Sequence, residues 1–516
     1  MPSRTFGLRR RIGLAVLLLS TLLLAADIGV LWLATPQLAA DLRPTSAELL
    51  WINDSYGFAM ACLLVLAGNL GDRFGRRKLL LCGIAVFGVA PIAAAFAPDP
   101  GALIAARAVL GVAGAAIIPS TLALISDMFA DPGQRARAIA MWVTALSTGI
   151  ALGPVLSGVL LERFWWGAVF LIGVPVMVFA FVVVPIAVPA SGDPGARRLD
   201  AISMPLLLLT LLPFVYAIKH FGEYGVDGWV LSALLVTVVF GLLFVRRQRG
   251  IDNPLLDLRL FGDRTFATAL VLLFVGLAAM NGVEYLVPQY FQLVAGVSPL
   301  PAGLLMVLPA AGLAIGSQVT SALARRVRPA HVIAGGAVLA IVGCALIATL
   351  PPGPSGVLPA VVGVTAMMSG LAPITVLGTN IAVGAAPPEK AGQASAVGQT
   401  SYELGLAFGV AATGSVMAAV YRDQVRTSAP EGVPGDLVAE VAGNLGGGLA
   451  IAERLPGGDA LADVVREGFT SGLQAVAIVS GCLAALLLVL TLTLLKRVDR
   501  IGEAEGADES AATVAA

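Results

Sequence analysis

Charge is what this sequence has least of: Asp, Glu, Lys and Arg together make up 12% of its 516 residues, about half the usual share of a soluble domain. Acidic and basic residues number 32 each, so no net charge favours a nucleic-acid partner. The two histidines, His220 and His331, are far apart and lack ligand spacing, which argues against a zinc or haem centre. The four cysteines, Cys62, Cys82, Cys344 and Cys482, each lie inside an apolar run. They read as small buried thiols rather than a disulfide framework or a CxxC metal site. None of the lysines Lys78, Lys219, Lys390 and Lys496 follows a glycine, so a G-x-x-x-x-G-K-[ST] phosphate loop is absent. H-E-x-x-H and G-x-S-x-G are missing as well. ATP-driven work by this chain and hydrolytic enzyme chemistry are thereby excluded, and no cofactor or metal is expected.

What is abundant is apolar surface: 58% hydrophobic residues and a mean hydropathy of +0.91. A soluble domain could not solvate that composition, so the solvent for most of the chain is lipid. A helix needs about 20 mainly apolar residues to cross the hydrocarbon core. Runs of that length, bounded by charge or by Pro and Gly, number fourteen, from 12–36 and 49–70 to 394–420 and 471–495. The first follows Arg4, Arg9, Arg10 and Arg11 and is too long for a signal-peptide core, so it reads as a transmembrane helix. With the N-terminus inside, 24 of the 32 basic residues fall in cytoplasmic segments and seven outside, which predicts a multi-pass cell-membrane protein with both termini cytoplasmic.

The expected organisation is all-α: a six-helix bundle over 1–188, two additional transmembrane helices and linkers over 189–264, a second six-helix bundle over 265–495, and a cytoplasmic tail over 496–516. The longest loop, 421–470, is acidic and external. Leu437, Val438, Val441 and Leu445 at helical spacing fit a short helical hairpin, and a solvated loop fits equally.

Between the second and third spans lies Gly68-Asn69-Leu70-Gly71-Asp72-Arg73-Phe74-Gly75-Arg76-Arg77-Lys78. Its glycines allow a tight turn, and Asp72 with the basic cluster can pair with neighbouring helix ends. The pattern resembles motif A of the major facilitator superfamily, with a weaker echo at Gly316-Ser317 to Arg325-Arg326. Arg107 to Ala115 in the fourth span resembles the arginine motif B. Gly149-Ile150-Ala151-Leu152-Gly153-Pro154 with Gly158 in the fifth resembles the antiporter motif C. With Asp27 and Leu50-Trp51-Ile52-Asn53-Asp54-Ser55-Tyr56, and over nearly the whole chain, the sequence resembles the fourteen-span drug:proton antiporters, the QacA- and LfrA-like multidrug exporters. The resemblance implies a major facilitator fold that binds small lipophilic substrates between two bundles and releases them as protons enter, functioning as a monomer. A dedicated exporter of one endogenous antibiotic, peptide or lipid on the same fold is the alternative.

An ionisable group inside a span costs about 2.5 to 3.5 kcal/mol on insertion scales, so each one retained needs an explanation. Asp27, Asp54, Arg107, Glu284 and Glu403 qualify. Asp27, Asp54 and Arg107 are expected at similar depth, and a static ion pair with Arg107 is one way to satisfy an acid. The resemblance implies proton coupling at Asp27, with Arg107 and Glu403 alongside, and substrate recognition at Asp54. Glu284, Gln399 and the aromatics Trp32, Tyr56, Trp142, Tyr285 and Tyr402 are further substrate-binding candidates, each of which also fits a packing role. Gln399 stands where relatives carry a glutamate, Gly398 where some are acidic, and Ala314 at QacA's tenth-span acid, which points away from divalent cations.

Overall fold

Lipid offers backbone N–H and C=O groups no water, so a chain this apolar must close its hydrogen bonds within each segment. The computed structural model does so with helices. It describes residues 3–129, 131–190, 202–251, 258–324, 326–387, 390–430, 433–443, 448–452 and 458–495, and no strand occurs among them. The expected tail over 496–516 lies outside the described residues.

In chain order the helices are α1 (Ser3–Leu42), α2 (Ser46–Phe74), α3 (Arg76–Ala95), α4 (Pro100–Met128), α5 (Pro132–Leu161) and α6 (Ala168–Ala187). Then come α7 (Ser203–Tyr224), α8 (Gly228–Gly250), α9 (Arg264–Leu293), α10 (Pro299–Leu323), α11 (Pro329–Ile347) and α12 (Pro354–Gly384). The series ends with α13 (Ala391–Ser428), α14 (Gly435–Gly443), α15 (Gly448–Ala452) and α16 (Asp459–Leu494).

Among the described residues, 12 helices are long and apolar enough to cross a membrane, against the fourteen spans expected. The two expected spans outside that count correspond to α2 and α7, helices of 29 and 22 residues. The loop expected over 421–470 is also largely helical. α13 runs on to Ser428, α16 starts at Asp459, and α14 lies between them with Val441 and Ala442 buried. Tyr421 anchors α14 by donating its hydroxyl to Val441 O at 3.2 Å.

Helix starts follow from local chemistry. Thr45 and Glu48 form a capping box at α2, and Asp99 and Asp131, each followed by proline, cap α4 and α5. The turn between α2 and α3 is a single residue, Gly75, at φ 100°, with its N–H on Gly71 O at 3.0 Å. A side chain is strained at that φ, which accounts for glycine there.

The chain forms two compact units. The first comprises Met1–Leu255, Pro288–Val307 and Tyr421–Phe469. In it α1 and α5 pack in parallel with one register: Gly149 meets Leu22 O, Gly153 meets Ala26 O, and Ser157 Oγ donates to Val30 O at 2.8 Å. The other edge of α5 receives the start of α10. A Cβ on Gly158 would lie 2.7 Å from Pro299 O, and one on Gly303 2.5 Å from Pro154 O. The second unit comprises Leu256–Val287, Leu308–Val420 and Thr470–Ala516. There α9 and α13 repeat the pattern: Ser401 Oγ donates to Leu270 O at 2.8 Å, while Cβ atoms on Gly405 and Gly409 would lie 2.7 and 2.6 Å from Phe274 O and Ala278 O. Four-residue steps of small side chains thus join the first and fifth helices of each half, as two related bundles require.

α7 and α8 form a hairpin tied at both ends. Gln248 Nε2 donates to Ser203 Oγ at 2.5 Å at one end, and at the other His220 Nε2 and Asp227 Oδ2 lie 2.8 Å apart. Asp227 also caps α8, accepting from Val230 N at 2.9 Å. That backbone bond, followed by His220, holds the Asp227 carboxyl below its usual range. A carboxylate with a depressed folded pKa contributes stability that is present above its ordinary value and is lost as pH falls through the folded one. Protection of the Val230 amide, its exchange relative to the intrinsic rate at the same pH, is therefore expected to fall as the medium is taken below pH ~4, and Asp227→Ala to abolish that dependence.

Candidate functional site

The first unit holds a buried ion pair. Arg107 of α4 is 2% exposed and places Nη1 2.8 Å from Asp27 Oδ2 of α1. Its Nε donates to Ile52 O of α2 at 3.3 Å, and its Cζ lies 4.9 Å from the Tyr56 ring centroid and 5.9 Å from that of Phe170. Two charges this far from water are tolerated because they neutralise each other and the guanidinium's other faces meet a carbonyl and two rings.

The glycines of the same helix explain how Arg107 gets there. Gly111 lies against Tyr56 O, with Ala59 Cβ 2.8 Å from where its Cβ would be, and the Cβ position of Gly114 is 3.1 Å from Tyr56 Oη. Residues 107, 111 and 114 make a track along which α2 lies close, so Arg107 meets one turn of α2 and Gly111 the next. Asp54 is buried on that same helix. A small apolar cavity of about 10 Å³ adjoins Asp27, walled by Leu23, Phe87, Val169, Phe170 and Gly173, and Asp27 is its one charged lining residue.

Motif A makes its contacts at helix ends. Arg76 Nη1 lies 3.0 Å from both carboxylate oxygens of Asp127, near the end of α4. Arg77 Nη1 donates to Val188 O at 3.0 Å, and Arg73 stacks on Phe74 with Cζ 5.3 Å from its centroid. Gly68 is half-buried in α2, and the Asp72 side chain lies outside the described residues. Motif C supplies both packing edges of α5, with Gly149 and Gly153 towards α1 and Pro154 and Gly158 towards α10.

The second unit buries two carboxylates, Glu284 on α9 and Glu403 on α13. Gln399 Nε2 donates to Glu403 Oε1 at 2.9 Å, so this amide holds the acid one turn further along the helix. Tyr402 precedes Glu403 on α13. Among the described residues no cation pairs with either acid, in contrast to Asp27.

The structure thus joins Asp27, Arg107 and Tyr56 in one cluster and Gln399 with Glu403 in a pair, while Glu284 is buried on α9 of the same unit. Trp32 and Tyr285 are buried on α1 and α9. Trp142 is buried too, and its indole N–H is taken by Thr121 Oγ1 at 3.1 Å. Three participants escaped sequence reasoning. Phe170 carries no signal in an apolar run, and Thr121 is a hydroxyl among many. Asn281, which donates to Leu406 O at 2.9 Å, was legible as an amide one turn from Glu284.

Comparison with known proteins places this geometry. The chain is 38% identical over 477 residues to the multidrug efflux pump LfrA of Mycolicibacterium smegmatis, covering 92% of this chain and 94% of that protein. It is 32% identical to the methyl viologen resistance protein SmvA of Salmonella typhimurium, covering 89% and 93%. To the tetracenomycin C resistance and export protein of Streptomyces glaucescens it is 30% identical, covering 90% and 87%. Among solved structures, a bacterial homologue of the human lysosomal transporter Spinster, in an inward-facing and unoccupied conformation, superposes with a TM-score of 0.67 at 16% identity, covering 96% of this chain and 99% of that one. That likeness shows the fold. The family model for the Major Facilitator Superfamily matches residues 17–410, and the chain belongs to that superfamily of membrane transporters.

Proposed function

We propose that this protein is a proton-coupled antiporter that exports lipophilic, cationic drugs or antiseptics across the cell membrane, as a fourteen-span, QacA-like monomer with both termini cytoplasmic. The observation that carries the reading is the Asp27–Arg107 pair: a titratable acid held 2.8 Å from a buried guanidinium beside an apolar cavity. Protonating Asp27 removes the charge that holds Arg107, freeing α1 from α4 at that point; losing the proton restores the pair. One proton is thereby exchanged for one change in helix contact, which is what coupling needs.

Glu284 and Glu403 supply the complementary part. Buried carboxylates with no paired cation among the described residues attract a positively charged substrate and discharge on protonation, with Tyr285 and Tyr402 offering aromatic faces. Asp54, Trp32 and Tyr56 are the corresponding candidates in the first unit, and Trp142 contributes a ring face because its N–H is engaged. The names of LfrA and SmvA support drug export, and α2 and α7 complete the fourteen spans. The likeness to the tetracenomycin exporter favours the second reading, one endogenous antibiotic as the dedicated substrate.

The test is ethidium efflux from reconstituted, ATP-free vesicles under an imposed pH gradient, with Asp27→Asn alongside. Gradient-dependent efflux that falls at least a hundredfold in a folded Asp27→Asn variant is expected. Efflux indifferent to the gradient would exclude proton coupling, and no ethidium movement in the parent would turn the search to a narrow substrate.

A further inference from the structure

α6 ends at Ala187, and its last carbonyls have no intrahelical partner. Two arginines from different helices serve them. Arg9 Nε of α1 donates to Ile186 O at 2.7 Å, and Arg77 Nη1 of α3 donates to Pro185 O at 3.4 Å and Val188 O at 3.0 Å. The three acceptors lie within one helical turn, about 5.4 Å along the axis, so both guanidiniums reach the same end of α6. Capping alone needs less than this. Arg9 uses one of five donors and Arg77 one nitrogen, and the rest meet no partner among the described residues. The nearby acid, Asp127, is already engaged by Arg76, while Arg10, Arg11 and Lys78 add exposed positive charge.

Below this double cap runs an apolar stripe. Val178, Val182 and Ile186 follow at i, i+4 and i+8 on α6 and are 57%, 58% and 65% exposed. Leu8 and Ile12 of α1, flanking Arg9, are exposed as well. A pair of forked cations at the end of a lipid-facing stripe is the complement of one molecule: a phosphodiester anion carrying an acyl chain.

We propose that Arg9 and Arg77 form a site for the head group of an anionic phospholipid, in the leaflet where α1 starts and α6 ends, with an acyl chain along Val178, Val182 and Ile186. Occupancy bridges α1, α3 and α6 through one phosphate, so the anionic lipid content of the membrane sets how firmly these three ends are joined. The site depends on membrane spanning alone and on neither proton coupling nor substrate.

The experiment places the full chain in nanodiscs of phosphatidylcholine with increasing phosphatidylglycerol, and counts retained phosphatidylglycerol by native mass spectrometry. The parent is expected to retain it, and Arg9→Gln/Arg77→Gln to need about tenfold more for equal occupancy. Arg135→Gln/Arg137→Gln, which removes the same charge from the start of α5, should behave as the parent. Equal retention in the first variant, or equal loss in the second, overturns the site. A photoactivatable phosphatidylglycerol checks the unmodified protein independently of variant folding. It should label peptides containing 8–12 and 178–186 ahead of the exposed face of α8, and even labelling of both overturns the proposal. No outcome bears on transport, which is read separately by efflux.

Discussion

Arg107→Met is expected to lose ethidium efflux and to destabilise the folded chain by about 3 to 5 kcal/mol, the cost of leaving one member of a buried ion pair without the other. The substitution keeps most of the side chain's volume and removes its charge, its bond to Ile52 O and its contacts with the Tyr56 and Phe170 rings. Asp27 then remains as a lone carboxylate in an apolar wall. The double variant Asp27→Asn/Arg107→Met separates coupling from folding, because replacing both charges removes the unpaired one. Thermal unfolding of the double variant should return most of the way to the parent while efflux stays lost. If Arg107→Met unfolds at the parent's temperature, the pair does not hold α1 to α4 and the proposed coupling loses its structural basis.

Much of this arrangement was legible in the sequence, and what was missed has physical reasons. Gly75 was legible as part of a motif whose glycines allow a tight turn, and the structure makes it the single residue between α2 and α3. Asp27, Asp54 and Arg107 stood out because each is costly in lipid, and counting residues along their spans put them at comparable depth. Which acid Arg107 would take could not be read that way. The choice rests on the azimuth of α4, set by Gly111 and Gly114 against α2, which leaves Arg107 aimed at α1. The Gln399–Glu403 bond was accessible from i, i+4 spacing alone, whereas the Trp142–Thr121 bond joins two helices and had no local signature.

The expected spans over 49–70 and 202–220 both fall on helices of crossing length, 29 and 22 residues, because apolar runs bounded by charge or by Pro and Gly mark helix limits even where a polar residue interrupts them. For 421–470 the sequence left a helical hairpin and a solvated loop equally open; the burial of Tyr421, Val441 and Ala442 goes with the first, which the apolar positions at helical spacing had signalled.

Gly153→Val is expected to have an effect of similar size by a different route. The Gly153 Cβ position meets Ala26 O, one residue before Asp27, and lies 3.3 Å from the Gly29 Cα. A branched side chain there meets backbone, which has no rotamer to yield, so α1 must separate from α5 and carry Asp27 away from Arg107. Overpacking of this kind costs about 1 to 3 kcal/mol, and the displaced ion pair adds to it. Ser157→Ala, one turn along the same seam, removes a single 2.8 Å hydrogen bond to Val30 O and should cost about 1 kcal/mol with efflux largely kept. The matching seam between α9 and α13 allows an internal comparison. Gly405→Val would place its Cβ 2.7 Å from Phe274 O and lower the unfolding temperature comparably, while leaving the Asp27–Arg107 pair intact. Efflux and unfolding measured on all three variants decide the matter: a Gly153→Val protein that transports and unfolds like the parent would show that the α1–α5 register does not position Asp27.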